Sequence, residues 1–257
     1  IDPNNTQIMY IVTGDAMASD TYSVGVLKST DGGTTWNTTG LSFSVDQQQT
    51  VNKIIIHPDY SDSLYAVTNS NIRISADGGN NWQIVGTIGR WRDIEFKPDN
   101  PSVLYAAKQS SGNSQIFRST DGGASWANIS SGMLSSRYRP LIAVTTENPN
   151  VIYALFSAAD YGYHGLYKSS DAGDSWVLQS NTPNILGRET SGNGTGGQSW
   201  YDLSLGVAPN NENLVYVGGI NLWRSDDGGV NWDVDGSSGN SNNYSYMHVD
   251  QHALEFS

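Results

Sequence analysis

Short apolar runs separated by turn residues recur along the whole chain. Clear examples begin at Ile54, Ile94 and Leu205, and each is followed by a turn and then by a second run that contains a tyrosine. Runs of this length, bounded by Gly, Pro and Asn, are typical of β-strands. No stretch has the periodicity of an amphipathic helix. The pattern therefore predicts an all-β protein.

One octapeptide occurs five times between these predicted strands. Its first copy reads Ser29-Thr30-Asp31-Gly32-Gly33-Thr34-Thr35-Trp36. The copies occupy residues 29–36, 75–82, 119–126, 169–176 and 225–232. The repeat length between successive tryptophans is that of a four-stranded antiparallel sheet with its loops. We predict a single β-propeller domain over residues 1–257, with five blades of four strands each.

The octapeptide has the composition of a tight hairpin turn. The Asp31 carboxylate can accept hydrogen bonds from turn amides, and Gly32 and Gly33 allow positive φ angles. The indole of Trp36 can pack against the neighbouring sheet while its N–H reaches a turn carbonyl. The fourth copy differs, because Ala172 replaces the first Gly. We expect structural roles for Asp31, Trp36, Asp77, Trp82, Asp121, Trp126, Asp171, Trp176, Asp227 and Trp232.

The two ends of the chain are in phase with the repeat. The first residues, Ile1-Asp2-Pro3, and the last, Leu254-Glu255-Phe256-Ser257, fall in the same strand motif. Propellers close into rings that leave no exposed strand edges. We expect the five blades to be part of a larger ring of seven or more blades.

Composition narrows the choice of partners. A net charge of -12 with only 13 Lys and Arg argues against binding to a phosphate backbone, so nucleic acid is not expected as a partner. There is no Cys, which excludes disulfides and thiolate chemistry. No apolar run is long enough for a membrane-spanning helix. This composition suits an extracellular or bacterial cell-surface protein whose export signal lies outside these residues.

The pattern Ser-x-Asp-x-Gly-x-x-Trp resembles the Asp box, or bacterial neuraminidase repeat, of β-propellers. Its carriers include sialidases, xyloglucan-hydrolysing endoglucanases, sortilin-type receptors and a photosystem assembly factor, so the resemblance implies a fold and leaves function open. The segments 197–202, 222–225 and 248–254 look most like the sortilin-type propellers of large secreted Bacteroidetes surface proteins. That resemblance implies type IX secretion and contacts with other domains of a larger chain.

In the resembling enzymes, the active site lies on the face opposite the Asp boxes. Arginines outside the repeat fall in predicted blade-to-blade loops on that face, beside aromatic and acidic residues. Such a surface suits a glycan or a protein partner. The alternative is that long loops collect aromatic residues merely to cover the blade ends. The predicted ligand residues are Arg90, Trp91, Arg92, Arg139, Tyr163, Arg188, Trp200, Tyr201 and His248.

Three residues near the end of the chain form a candidate metal site. His248, Asp250 and His252 alternate along a predicted innermost strand, which would place all three on one face. Imidazole and carboxylate groups bind divalent metals. The same arrangement also suits a hydrogen-bonded polar plug in the propeller channel. No other cofactor is expected.

Three functions are compatible with these patterns. The first, which we favour at this stage, is a non-catalytic binding or scaffold module for a glycan or protein. The second is a glycoside hydrolase of endoglucanase or sialidase type, with two carboxylates flanking a sugar bond. The sialidase version lacks its Arg-Ile-Pro motif, and the nearest string is 137–140. A third is a purely architectural array of blades. The candidate catalytic carboxylates are Asp202, Glu189, Asp93 and Asp250, together with Glu95.

Overall fold

The computed structural model describes residues 1–15, 21–239 and 244–256, and its regular structure is almost entirely β. Within these ranges the helical structure consists of one short 3-10 helix, Val45–Gln47, and no helix is long and apolar enough to cross a membrane. The all-β prediction is confirmed.

The strands form five sheets in chain order. The first sheet contains β1 (Met9–Val12), β2 (Gly25–Ser29) and β3 (Asn37–Ser42). The second contains β4 (Val51–Ile56), β5 (Leu64–Thr68), β6 (Ile72–Ser75) and β7 (Gln83–Val85). The third contains β8 (Arg90–Lys97), β9 (Asn100–Gln109), β10 (Gln115–Ser119) and β11 (Ala127–Asn128). The fourth contains β12 (Pro140–Val144), β13 (Ile152–Ser157), β14 (Tyr163–Ser169) and β15 (Val177–Ser180). The fifth contains β16 (Ser204–Ala208), β17 (Asn211–Gly218), β18 (Leu222–Ser225), β19 (Asp233–Ser237) and β20 (Ser245–Tyr246).

The middle three sheets are four-stranded and antiparallel, as predicted, whereas the first and last differ. The first sheet has three strands, which correspond to the second, third and fourth strands of the other blades. The fifth sheet gains β20, which pairs parallel to β19 through Gly236 and Ser237. The repeat does not reveal this extra strand because β20 lies outside the repeated pattern.

Hydrophobic clusters join each sheet to the next. In one cluster, Tyr105 and Ile116 of the third sheet pack against Ile152 and Phe156 of the fourth, and all four are fully buried. Three further clusters connect the other consecutive sheets in the same way. The inner strands β4, β8, β12 and β16 line one common cavity. Sheets that pack face to face around a shared cavity are the blades of a propeller.

The Asp boxes form the tight turns that the sequence predicts. In the first box, Asp31 Oδ1 accepts hydrogen bonds from Ser29 Oγ and Thr35 N, both at 2.8 Å, and Asp31 Oδ2 accepts one from Thr35 Oγ1 at 2.6 Å. The equivalent aspartates of the other four boxes make equivalent bonds. These bonds, first of all that from the Thr35 side chain, lower the pKa of Asp31 to about 2.

The box tryptophans divide into two groups. The indoles of Trp36, Trp82 and Trp126 donate to a glycine carbonyl of their own turn, as predicted. Trp176 instead donates to Ile129 O, and Trp232 donates to Ser180 Oγ, both in the preceding blade. In the last two boxes the indole N–H therefore forms a hydrogen bond between two blades.

A tyrosine from each of the first three blades also contacts the box of the following blade. Tyr10 Oη donates to Gly78 O and Tyr65 Oη donates to Gly122 O, each at 3.1 Å. Tyr105 Oη donates to Ala172 O at 3.3 Å. We call these three bonds the tyrosine latches. They attach each sheet to the next one at the level of the Asp boxes.

Replacement of Ala172 by glycine should stabilise the protein. Ala172 has a φ of 59°, and its counterparts Gly32, Gly78 and Gly122 have a φ of 68°. Because an L-residue is strained in this region, we expect Ala172→Gly to raise the free energy of unfolding by about 1 kcal/mol. Thermal unfolding measures the change. The matched control is Ala124→Gly, whose φ is not positive and which should lower stability slightly. A lower melting temperature for Ala172→Gly would contradict this account.

Stability should also fall steeply in acid. Hydrogen bonds lower the pKa of Asp31, Asp77, Asp121 and Asp171 to about 2 in the folded protein, whereas a free aspartate titrates near about 3.9. A lowered pKa adds stability above the unfolded value, and this stability is lost as the pH falls from about 4 to about 2. Urea unfolding across this range measures the loss. Asp31→Asn should flatten the dependence, because the asparagine side chain does not titrate in this range.

Candidate functional site

The inner strands enclose a cavity of about 400 Å³, which we call the channel cavity. Many of its lining side chains are polar or charged, which is unusual for the centre of a folded domain. Residues 252–256 complete its wall beside β16. The charged lining residues are Lys53, Arg92, Asp93, Glu95, Arg139 and Glu255.

A charged cluster ties three inner strands together inside this cavity. Lys53 Nζ lies 2.7 Å from Asp93 Oδ1 and 2.5 Å from Glu95 Oε1. Asp93 Oδ2 accepts a hydrogen bond of 2.9 Å from Ile142 N of β12. Burial alone would lower the pKa of Lys53, but the two carboxylates outweigh it and raise that pKa. Asp93 and Glu95 are therefore engaged in holding β4, β8 and β12, which argues against their predicted catalytic role.

Two of the predicted ligand arginines line the channel cavity at the ends of strands rather than in loops. Arg92 belongs to β8, and Arg139 directly precedes β12; both are almost fully buried. Arg139 Nη1 donates to Ser199 O at 2.6 Å. Burial, reinforced by the positive charges of Arg90 and Arg139, lowers the pKa of Arg92 to about 8. These arginines lie at the loop-side mouth of the channel, opposite the Asp boxes.

Two predicted ligand aromatics are core residues. Trp91 is fully buried; its ring packs edge-on against Phe117, and its indole donates to Thr87 O. Tyr163 is also buried, with its hydroxyl within 2.9 Å of Ser180 O. Both side chains lie inside hydrophobic clusters and not at the solvent-exposed surface, which argues against the binding role predicted for them.

The long loop between β15 and β16 is held by hydrogen bonds within the loop and to the loop between β13 and β14. The side-chain amide of Asn184 donates to Gly194 O and Gly196 O. Ser199 Oγ donates to Tyr161 O at 2.7 Å. Gly197 is closely enclosed, since a Cβ there would lie 2.4 Å from Leu186 O. The residues that follow Gly197 are therefore presented in a defined position.

Those residues form a single turn that brings two aspartates together. Gln198 O accepts hydrogen bonds from Tyr201 N and Asp202 N, so the side chains of Gln198 and Asp202, four residues apart, lie on the same side. Gln198 Nε2 donates to Asp202 Oδ2 at 2.9 Å and to Asp250 Oδ1 at 2.7 Å. The distance between Asp202 Oδ2 and Asp250 Oδ1 therefore cannot exceed the sum of these two hydrogen-bond lengths.

The environments of the two aspartates differ. Asp202 is 1% exposed, and burial raises its pKa, with a further contribution from the negative charge of Asp250. The side chain of Asp250 is 28% exposed. The pKa of one carboxyl group is thus raised by burial, while its neighbour keeps contact with solvent.

Aromatic rings adjoin this carboxylate pair. The Trp200 and Tyr201 rings lie 5.5 Å apart, and the Tyr201 ring meets the His252 ring edge-on at 4.7 Å. Trp200 is 46% exposed, which leaves part of its ring open to a ligand. Of the predicted ligand residues, Trp200 and Tyr201 therefore keep the properties of a binding platform.

The predicted metal set is not assembled. His248 is largely exposed, with Nδ1 3.8 Å from Asp250 Oδ2, whereas the His252 ring packs on Tyr201. Asp250 has a φ of 78°, which breaks the strand alternation that the prediction assumed. Among residues 1–15, 21–239 and 244–256, no three His, Cys, Asp or Glu side chains are grouped to hold a metal ion.

Arg188 and Glu189 lie apart from the carboxylate pair. They line a separate cavity of about 540 Å³, together with Ile220 and Asn221. Glu189 Oε2 accepts a hydrogen bond from Ser191 Oγ. Glu189, one of the predicted catalytic carboxylates, is therefore not part of the pair that Gln198 joins.

Sequence reasoning missed Gln198, which bridges the pair. The only signal was its position four residues before Asp202, a spacing that places side chains together in a helical turn. In a loop, that spacing brings two side chains together only if the backbone forms a helical turn, and the sequence does not show that it does.

These observations define the protein as an Asp-box β-propeller with a candidate site on the face opposite the boxes. The family model described as Sortilin-Vps10, "Sortilin, neurotensin receptor 3", matches residues 24–136. A xyloglucanase of Hypocrea jecorina (strain QM6a) is 28% identical over 178 residues, which cover 68% of this chain and 20% of that protein. The chain thus spans about a fifth of this curated relative's length.

Two solved structures of GH74 enzymes have a similar fold. An ancestral GH74 enzyme superposes with a TM-score of 0.62 at 21% identity, covering 94% of this chain and 33% of that one. The GH74 xyloglucanase from Xanthomonas campestris gives 0.66 at 15% identity, covering 90% and 36%. At these identities the likeness concerns the fold.

Loss of the Asp93 charge should destabilise the channel. In Asp93→Asn, Lys53 loses the more buried of its two carboxylate partners, so we expect the free energy of unfolding to fall by about 2–3 kcal/mol. Chemical denaturation measures this change. The control, Asp99→Asn, removes an exposed partner of Lys97 and should cost less than about 0.5 kcal/mol. Equal effects for the two variants would contradict a structural role of the cluster.

Proposed function

We propose that this propeller is part of a secreted glycoside hydrolase and that Asp202 and Asp250 are its catalytic carboxylates. The observation that carries the proposal is the pair itself, held together by the Gln198 amide. Sequence reasoning placed a non-catalytic binding module first. The carboxylate pair and the xyloglucanase relative favour a glycoside hydrolase over a binding module.

Glycoside hydrolysis requires one carboxyl group that donates a proton and a second that acts on the sugar carbon, and the two aspartates suit these roles. Burial raises the pKa of Asp202, so this group can hold a proton and donate it to the leaving-group oxygen. Asp250 is more exposed and can act on the sugar carbon as the charged partner. Retaining glycosidases hold their two carboxyl groups about 5–5.5 Å apart and inverting enzymes about 6.5–9.5 Å. The shared amide favours the shorter, retaining separation.

The surroundings supply the means to bind a sugar chain. The exposed part of Trp200 offers an apolar face against which a pyranose ring can stack. Tyr201 and His252 extend the aromatic surface toward the channel. A glycan lying on this surface would pass beside Asp250 and reach the mouth of the channel cavity.

Hydrolysis of xyloglucan, followed as released reducing ends, tests the proposal. The full chain should be active, and Asp202→Asn and Asp250→Asn should each lose activity by about 100-fold or more, since each removes one half of the acid and carboxylate pair. Wild-type activity should decline as the pH rises through the raised pKa of Asp202. The control, Asp233→Asn, lies beside the fifth Asp box and should retain full activity.

Two outcomes would overturn the catalytic role. Full activity of Asp202→Asn would exclude it as the proton donor. Xyloglucan binding that Trp200→Ala weakens, without any hydrolysis by the wild-type chain, would restore the binding module as the better function.

A further inference from the structure

Several unpartnered polar atoms belong to residues near the proposed site. In the described part of the chain, six buried side-chain nitrogen or oxygen atoms have no hydrogen-bond partner. Three of them, Arg139 Nε, Asp202 Oδ1 and Ser204 Oγ, belong to residues at the beginnings of the neighbouring strands β12 and β16. Buried polar atoms in folded proteins are nearly always paired, so such a group indicates a ligand.

Two of the three residues line a space that can receive a ligand, and Asp202 directly precedes a third lining residue, Leu203. Arg139 and Ser204 line the channel cavity, and both are only 4% exposed. Leu141 and Leu203 contribute apolar wall next to them. A volume of about 400 Å³ falls in the range of small-molecule pockets.

The hydrogen-bonding character of the three atoms restricts the ligand. Arg139 Nε can only donate, and the Ser204 hydroxyl can both donate and accept. Asp202 Oδ1 accepts a hydrogen bond when the carboxyl group is charged and can carry the proton when it is protonated. A carboxylate, sulfate or phosphate offers only acceptors, so the charged form of Asp202 would repel it, whereas a hydroxyl group suits both forms of Asp202. Neighbouring hydroxyl groups offer both a donor and an acceptor. The combination therefore suits a neutral sugar ring.

We propose that Arg139, Asp202 and Ser204 form a subsite that binds adjacent hydroxyl groups of a neutral sugar residue at the channel mouth. The two oxygens of Asp202 then have separate roles: Oδ2 meets the Gln198 amide, and Oδ1 faces the sugar. The inference rests on the proposed function for its glycan, but its test measures binding and does not require hydrolysis.

Calorimetric titration with two tetrasaccharides tests the subsite. Cellotetraose serves as the neutral probe, and tetragalacturonic acid as an anionic probe of equal length. The wild-type chain should bind cellotetraose at least tenfold more tightly than tetragalacturonic acid. Ser204→Ala should weaken cellotetraose binding about tenfold, because one hydrogen bond to the sugar is lost. Its melting temperature should not fall, because that hydroxyl has no partner in the free protein.

A matched serine separates binding from folding. Ser130 is also buried, and its Oγ accepts a hydrogen bond of 2.7 Å from Ile116 N. Ser130→Ala should therefore lower the melting temperature and leave affinity unchanged. Arg139→Lys keeps the positive charge but removes Nε, and it should weaken binding as Ser204→Ala does. If Arg139→Lys fails to fold, Ser204→Ala still decides the matter.

Unchanged affinity in Ser204→Ala would overturn the subsite and assign the three atoms to ordered water. Tighter binding of tetragalacturonic acid than of cellotetraose would replace it with an anion site. Absence of cellotetraose binding by the wild-type chain would also reject it. Loss of hydrolysis in Asp202→Asn together with unchanged affinity in Ser204→Ala would reject only the subsite. Binding without hydrolysis would reject only the catalytic proposal.

Discussion

The aspartate of each octapeptide is the interaction on which the rest of the structure depends. One carboxylate satisfies a backbone amide and two side-chain hydroxyls or amides within a few residues, which closes the turn between the third and fourth strands of a blade. The closed turn then presents a carbonyl to the tyrosine latch of the preceding blade. The five turns thus shape their own sheets, and the turns of the second, third and fourth boxes also attach their sheets to the preceding blade.

This order of construction explains why the channel can be polar. The hydrophobic clusters between sheets lie away from the axis and supply the apolar burial that stabilises the fold. The inner strands are then able to carry charged side chains, provided that these are paired. Lys53, Asp93 and Glu95 meet this condition, and Asp93 also satisfies a backbone amide of the next blade.

The candidate site depends both on hydrogen-bonded turns and on burial against an inner strand. Its loop is fixed by Asn184 and by the enclosed Gly197, and its buried end rests on β16. Burial of Asp202 has two consequences that are normally in conflict: it raises the pKa toward that of a useful acid and leaves one oxygen without a partner. A sugar with neighbouring hydroxyl groups would give that oxygen a hydrogen-bond partner, and Asp202 would remain buried with its raised pKa. Catalysis and recognition would then depend on the same buried carboxyl group.

The Asp boxes, the all-β class and the loop-face position of Trp200, Tyr201 and Asp202 were predictable from the sequence alone. The box bonds join residues two to four apart, so local composition determines them. Burial of Trp91 and Tyr163, and the bridge from Asp202 through Gln198 to Asp250, depended on the tertiary structure. Residues 198 and 250 meet only because two loops approach each other. Such a contact depends on how the sheets pack, and a strand pattern alone does not reveal which face of a residue meets a neighbouring blade.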